Sequence, residues 1–166
     1  MKLSFVIPAH NEAGYIGGCI QSILEELKMG KEPAEIIVVN NASSDKTREI
    51  AARFQAVRVI DEFRKGANWA RQRGFQEAQG DLLAYLDADV RLPRGWMHTA
   101  LQEFARDPTL VSLSGPYRYY DLPKFKKFIA ELLWRLFAPS TYFFIRYMVL
   151  GGNFVVKRKA LAKIGG

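Results

Sequence analysis

Two aspartates one residue apart, Asp87 and Asp89, close the apolar run Leu82-Leu83-Ala84-Tyr85-Leu86. Nothing about folding asks for that pair. In an extended strand alternate side chains share a face, so both carboxylates are expected to point the same way. Like charges at that spacing repel, and each raises the other's pKa unless a cation sits between them. A strand apolar at every position is buried on both faces, as in a parallel sheet. Ligands of such sheets gather at the carboxyl ends of the strands. A hard divalent cation carrying phosphate oxygens suits two carboxylates in that position. A strand followed by a solvated acidic turn uses the same tripeptide, so the surrounding elements must decide between the two readings.

Those elements follow from periodicity. Leu3–Ala9, Glu35–Val39, Val57–Ile60, Leu82–Leu86 and Leu110–Ser114 read as strands. Residues 16–28 carry Ile16, Cys19, Ile20, Ile23, Leu24 and Leu27 at helical spacing, with Glu25, Glu26 and Lys28 at the polar end and Gly30 as the stop. Further helices are expected around Ile50, Ala51 and Phe54, capped by Ser44 or Asp45, and over residues 67–79 and 93–106. Strands alternating with helices predict an α/β fold around a mostly parallel sheet. Polar turns at 8–14, 40–46 and 87–91 each follow a strand directly, so the sheet should gather Asn11, Glu12, Asn40, Asn41, Asp87 and Asp89 at one edge.

Composition narrows the rest. The chain has 166 residues, 49% of them hydrophobic and 25% charged, which fits one globular domain. A single cysteine, Cys19, excludes an internal disulfide and a cysteine-based zinc site, and two histidines make a His-rich centre a poor reading. With no N-terminal apolar run long enough for a signal peptide, a reduced, cytoplasmic setting is expected. Net charge is +7, unevenly placed: residues 1–117 hold 14 Lys/Arg against 15 Asp/Glu, whereas residues 118–166 hold 10 against only Asp121 and Glu131. The basic third calls for an anionic partner, phosphates or a lipid surface.

Four motifs taken together carry a resemblance. Phe5-Val6-Ile7-Pro8-Ala9-His10-Asn11-Glu12, Ile37-Val38-Val39-Asn40-Asn41-Ala42-Ser43-Ser44-Asp45, Leu86-Asp87-Ala88-Asp89 and Gly151-Gly152-Asn153-Phe154-Val155-Val156-Lys157-Arg158 stand in the order and spacing that resembles the family 2 glycosyltransferases. The resemblance covers nearly the whole chain. It implies a GT-A fold, a Rossmann-like mostly parallel sheet flanked by helices, as a single domain over 1–166. The nucleotide-binding part would be about 1–117, and an incomplete acceptor- or membrane-facing part about 118–166. It also implies a nucleotide-sugar donor, a divalent cation (Mn²⁺ or Mg²⁺) and inversion at the anomeric carbon.

By this resemblance Pro8, His10 and Glu12 lie against the nucleoside, and Asn40 and Asn41 match the segment that contacts base or ribose. That segment is usually acidic; asparagine departs from it by donating as well as accepting. Asp87 and Asp89 match the metal motif, Asp89 as the direct ligand and Asp87 reaching metal or ribose through water or hydrogen bonds, with Ala88 between them. Lys65, Arg71 and Arg118 are candidate cations for the diphosphate; a solvated surface charge is the alternative for each. For Glu12 the alternative is a cap on the helix starting near Tyr15. Inverting transfer also needs a general base, which the family carries shortly after a second Gly-Gly pair. Here that pair is Gly165-Gly166, so the base is expected beyond residue 166 in a longer protein.

Residues 124–137 place Phe125, Phe128, Ile129, Leu132, Leu133, Leu136 and Phe137 on one helical face, with Lys124, Lys126, Lys127 and Arg135 on the remainder. This suits an anionic membrane surface and a lipid-linked acceptor, peripheral on the cytoplasmic face; packing on the protein itself is the alternative. Nucleic acid is disfavoured, because the basic residues stand among bulky aliphatics. A non-catalytic nucleotide- or membrane-binding module is the competing function. A nucleotidyltransferase fits less well, since Pro8–Glu12 stands where a Gly-rich phosphate loop would be.

Overall fold

The computed structural model describes residues 1–30, 32–115, 125, 128, 129, 132 and 152–165. Six strands, β1 (Leu3–Ala9), β2 (Ala34–Asn40), β3 (Val57–Asp61), β4 (Leu82–Leu86), β5 (Ser112–Ser114) and β6 (Asn153–Lys157), form one sheet. Helices whose bounds fall within the described residues accompany them: α1 (Ile16–Met29), α2 (Thr47–Ala52), α3 (Ala67–Glu77), α4 (Trp96–Arg106) and α5 (Arg158–Ala162). The sheet order is β3-β2-β1-β4-β6-β5. β1 pairs in parallel with β2 and β4, β2 with β3, while β6 runs antiparallel between β4 and β5.

The unbroken apolar strands are explained by helices on both faces. Leu3, Phe5 and Ile7 pack with Ile36, Val38, Leu82, Ala84 and Leu86 beneath α1 and α4. The alternate residues Val6, Ile37, Val39, Leu83 and Tyr85 pack beneath α3, with Val156 of β6. Each strand thus contributes to two cores at period two. The register partners Tyr85 and Phe154 stack with ring centroids 4.9 Å apart, which fixes β6 against β4. α3 sits so close to β1 that a Cβ on Gly74 would come within 2.2 Å of Val6.

Three sequence expectations change. β6 was read only as a motif, because a five-residue strand has too short a period to separate from its loop. Glu26, assigned to the polar end of α1, is only 3% exposed. Its carboxylate accepts the Gly95 and Met97 N–H groups at 2.8 and 2.9 Å and so caps α4 from across the core. Finally, β4 ends at Leu86, and residues 87–90 form a turn closed by the Val90 N–H to the Asp87 carbonyl at 3.0 Å. Strand alternation therefore does not place Asp87 and Asp89. No helix among the described residues is long and apolar enough to cross a membrane.

Candidate active site

The carboxyl ends of β1, β2 and β4 open into a cleft of about 240 Å³ lined by Pro8, His10, Glu12, Asn41, Asp87, Ala88 and Asp89, with Ala9, Ala67 and Ala70. The parallel register does this: Ala9 lies opposite Asn40, and Val6 opposite Tyr85, so the three loops leave the sheet side by side. Of the other candidates, Asn40 and Lys65 lie outside the lining. Arg71 stands on α3 and reaches Asp87 Oδ1 at 3.2 Å. Arg118 and most of the basic 124–137 segment lie outside the described residues.

Two of the loops are laced together by side chains that periodicity could not rank. The Glu12 N–H donates to Thr47 Oγ1 at 2.7 Å and the Ala13 N–H to Asp45 Oδ2 at 3.0 Å. Asn11 Oδ1 accepts the Ser44 N–H at 2.8 Å, and the Asn11 N–H donates to Ser43 Oγ at 3.1 Å. Asp45 Oδ1 in turn accepts the Thr47 N–H at 2.9 Å, but the N-cap of α2 is Lys46 and not the expected Ser44 or Asp45, because the helix begins one residue later, at Thr47. Asn11 and Ala42 hold positive φ angles of 58° and 51°, which turn these loops into contact. The lacing leaves the Glu12 carboxylate without a hydrogen bond or ion pair to any described residue. α1 begins on the Glu12 backbone carbonyl instead, which accepts the Ile16 N–H at 2.9 Å.

Asn41 serves the third loop. Its amide donates to the carbonyls of Glu62 and Arg64 at 3.0 and 2.7 Å, and its Oδ1 accepts the Gly66 N–H at 2.8 Å. Both amide hydrogens are therefore spent on protein, and what the side chain keeps for a ligand is one lone pair of Oδ1. An aspartate could not donate those two bonds, so the asparagine that departs from the acidic pattern has a structural reason. His10 Nδ1 lies 2.6 Å from the Asn41 carbonyl, joining the first loop to the second. Asn40 donates to Asp61 Oδ1 at 2.9 Å, away from the cleft.

Burial and mutual repulsion set the electrostatics of the cleft carboxylates. Burial raises the Asp87 pKa; the Arg71 guanidinium opposes this and the Asp89 charge adds to it. Burial likewise raises Glu12, reinforced by Asp89, Asp45 and Asp87 and countered only by His10. Beneath them Cys19, buried and with its Sγ 3.7 Å from the Asp87 carbonyl, has its pKa pushed up to about 12 by burial and then by the same aspartates. It is a packing thiol, not a nucleophile. The oxygens present suit a hard divalent cation. Among the described residues no group of three or more His, Cys, Asp or Glu side chains forms a metal cage. Asp87 and Asp89 are the side chains here that could serve a cation held through one or two carboxylates, the way proteins commonly hold Mg²⁺.

The comparisons with known proteins agree with the geometry. Residues 4–165 match the family model described as Glycosyl transferase family 2. The chain is 27% identical over 186 aligned residues to a probable glycosyltransferase, YdaM, of Bacillus subtilis, covering 99% of this chain and 42% of that protein. It is 32% identical over 100 residues to the glycosyltransferase AglE of Haloferax volcanii, covering 57% of this chain and 33% of the relative. Among solved structures, the mannosyltransferase PcManGT of Pyrobaculum calidifontis, in complex with GDP-Man and Mn²⁺, superposes with a TM-score of 0.71 at 23% identity, over 99% of this chain and 46% of its own. Mannosyl-3-phosphoglycerate synthase of Rubrobacter xylanophilus gives 0.68 at 25% identity, over 96% and 54%. The chain thus spans about half or less of the length of these proteins. A family match that runs from β1 through α5, on a GT-A sheet shared with solved glycosyltransferases, means that the chain belongs to glycosyl transferase family 2.

Proposed function

We propose that residues 1–117 form the donor-binding part of an inverting glycosyltransferase that takes a sugar from a nucleoside diphosphate sugar, and that residues 118–166 begin the acceptor-facing part. The observation that supports this most directly is the convergence of Glu12, Asp87 and Asp89 on one cleft at the carboxyl edge of the parallel sheet. The family, and the GDP-Man and Mn²⁺ held by a structural neighbour, point the same way.

In the reaction an acceptor hydroxyl oxygen bonds to the anomeric carbon from the face opposite the diphosphate. The carbon–oxygen bond to the phosphate breaks, its electron pair leaves on the phosphate oxygen, and the hydroxyl proton passes to a base. A divalent cation, when bound, would supply Lewis-acid neutralisation of the departing diphosphate. Asp89 is assigned to hold that cation directly, with Asp87 beside it. Asp87 keeps its orientation through Arg71, whose guanidinium is then close enough to share the anionic load. Pro8, His10, Glu12, Asn41 and Ala88 shape the nucleoside side of the cleft, and Lys65 and Arg118 are assigned as cations for the diphosphate. The base is assigned to a carboxylate beyond Gly166, in keeping with the greater length of the relatives.

Calorimetric titration of UDP and GDP, each with and without Mn²⁺ or Mg²⁺, tests the site. Wild-type protein should bind a nucleoside diphosphate at least tenfold more tightly with the cation, and Asp89→Ala should lose that difference. Equal enhancement in the variant would remove the metal from Asp89.

We also propose contact with an anionic membrane. The described members of the basic segment support it: Phe125 and Phe128 are 75% and 64% exposed, and Ile129 and Leu132 are exposed as well, at helical spacing. Apolar side chains presented to solvent amid lysines suit a lipid interface, and such a surface would bring a lipid-linked acceptor to the cleft.

A further inference from the structure

Polar atoms run along one side of α1. Cys19, Ser22 and Glu26 stand at i, i+3 and i+7 of the helix and are buried, as the apolar residues Ile16, Ile20 and Ile23 are. All three reach across to the same stretch of backbone, the one that leaves β4 and enters α4. Cys19 Sγ lies 3.7 Å from the Asp87 carbonyl, and Ser22 Oγ accepts the Leu92 N–H at 3.0 Å. Glu26 takes the Gly95 and Met97 N–H groups. Gly18 has no side chain, and Arg91 lies over it: a Cβ there would stand 3.0 Å from Arg91 Nη2. α1 therefore meets the segment 87–97 at its beginning, middle and end.

Ser22 fastens the exit of the carboxylate turn. Its hydroxyl proton goes to the Cys19 carbonyl of its own helix at 2.7 Å, which aims the oxygen's lone pairs outward, toward the Leu92 N–H. Ser22 and Leu92 are both buried, so water competes for neither group. At the entry of the turn the Asp87 N–H is held by the Gly152 carbonyl at 3.0 Å, and the Val90 N–H closes the turn on the Asp87 carbonyl. Asp87, Ala88, Asp89 and Val90 are thus strung between two fixed points, Gly152 before them and Ser22 after.

The fastening has work to do because carboxylates repel. Asp87 and Asp89 line the cleft together with Glu12, and like charges so placed drive a loose turn apart. A binding constellation works when its members are held to within about 0.5 Å of the productive geometry, and groups ordered in advance lose less freedom on binding. We propose that Ser22 is a positioning residue of the candidate cation site, its hydroxyl holding Leu92 so that Asp87 and Asp89 stay close enough to receive one divalent cation. The inference rests on the assignment of those aspartates to the cation. By it α1, which contributes no side chain to the cleft lining, sets the geometry of the cleft from outside.

Calorimetric titration of UDP and GDP with and without Mn²⁺, on the 166-residue chain and three variants, tests this. Ser22→Ala should keep the metal-free nucleotide affinity within twofold of wild type and lose at least fivefold of the enhancement given by Mn²⁺. Ser22→Thr retains a hydroxyl able to make the same bond to the preceding turn, and should restore the enhancement to within twofold. Glu26→Ala breaks the contacts at the far end of the segment, beyond Pro93. It should lower Tm more than Ser22→Ala does and lose less of the enhancement, an order that a merely structural role would not produce. Hydrogen exchange followed by NMR reads the turn without metal. In Ser22→Ala the Asp87 and Val90 amides, neither of which Ser22 touches, should exchange at least tenfold faster relative to those of Val6 and Ile37. Undiminished enhancement or unchanged exchange in Ser22→Ala, no recovery in Ser22→Thr, a parallel fall in metal-free affinity, or a greater loss in Glu26→Ala would each overturn the proposal. A wild type without Mn²⁺ enhancement, whose Asp87 and Val90 amides are nonetheless released by Ser22→Ala, would instead strike the cation reading and leave Ser22 as the residue that fixes the turn.

Discussion

Replacing Glu26 by alanine should destabilise the protein by about 3 kcal/mol, because two charge-assisted bonds are lost and one buried donor is stranded. Glu26 accepts the N–H groups of Gly95 and Met97, the entry to α4. Hydrogen bonds to a charged group contribute about 1.5–3 kcal/mol each, and an unpaired buried N–H costs about 1–3 kcal/mol. Met97 is buried, so its N–H has no water to turn to, whereas Gly95 is only half-buried and recovers part of its loss. Relief of the buried carboxylate's desolvation offsets some of the total. For a chain of this length, about 3 kcal/mol lowers Tm by roughly 6–12 °C. Glu26→Gln keeps one acceptor but turns an NH₂ toward the other N–H, so it should fall between wild type and alanine. Urea denaturation followed by circular dichroism reads the change as a lower midpoint at unchanged slope. A loss under 1 kcal/mol for alanine, or equal losses for both variants, would refute the cap. The same clamp includes Ser22, whose Oγ accepts the Leu92 N–H at 3.0 Å. α1 therefore holds both ends of the segment that leads from the carboxylate turn into α4.

Other outcomes follow from the same reasoning. Ala42 sits at φ 51°, a conformation that costs a Cβ-bearing residue about 1–2 kcal/mol, so Ala42→Gly should raise stability by about 0.5–1 kcal/mol in urea titrations once glycine's greater unfolded freedom is subtracted. For Glu35, burial raises the pKa, but the Ser4 hydroxyl, the Gln79 N–H, Lys2 and Arg58 together bring it below its ordinary value of 4.5. A depressed carboxylate stabilises the fold above that value and loses its contribution as pH falls through the lower folded pKa. The stability gap between wild type and Glu35→Gln should therefore narrow below about pH 4.5; a gap that widens on acidification would contradict this. Wild-type protein should co-sediment with anionic vesicles and not with neutral ones, and replacing Phe128 and Leu132 by serine should release it. Failure of the wild type to bind would end the membrane proposal.

The alternation of helices and strands, the carboxylates after β4 and the turns after β1 and β2 were all legible in the chain, because apolar period and turn chemistry are local properties. So was the burial of Cys19, from its place on the apolar stripe of α1. Contacts between segments far apart in sequence were not legible. Glu26 reads as one more charge beside Glu25 and Lys28, and only the approach of α4 buries it. Asn41 reads as a base-contacting residue, yet its amide is spent on a loop more than 20 residues away. β6 enters the sheet between β4 and β5 against the direction of its neighbours.

By itself, then, the sequence determined an α/β chain with acidic groups at the carboxyl ends of its strands, since periodicity dictates which residues face a core and where each strand must stop. Tertiary structure alone decided how those groups are held. The carboxylate pair lies on a turn and not along a strand, Arg71 pairs with Asp87, and the loops laced through Thr47 and Asp45 bring Glu12 to the lining of the cleft. Long-range hydrogen bonds and register carry no signature in local composition, because each partner is an ordinary polar residue until the fold brings the other to it.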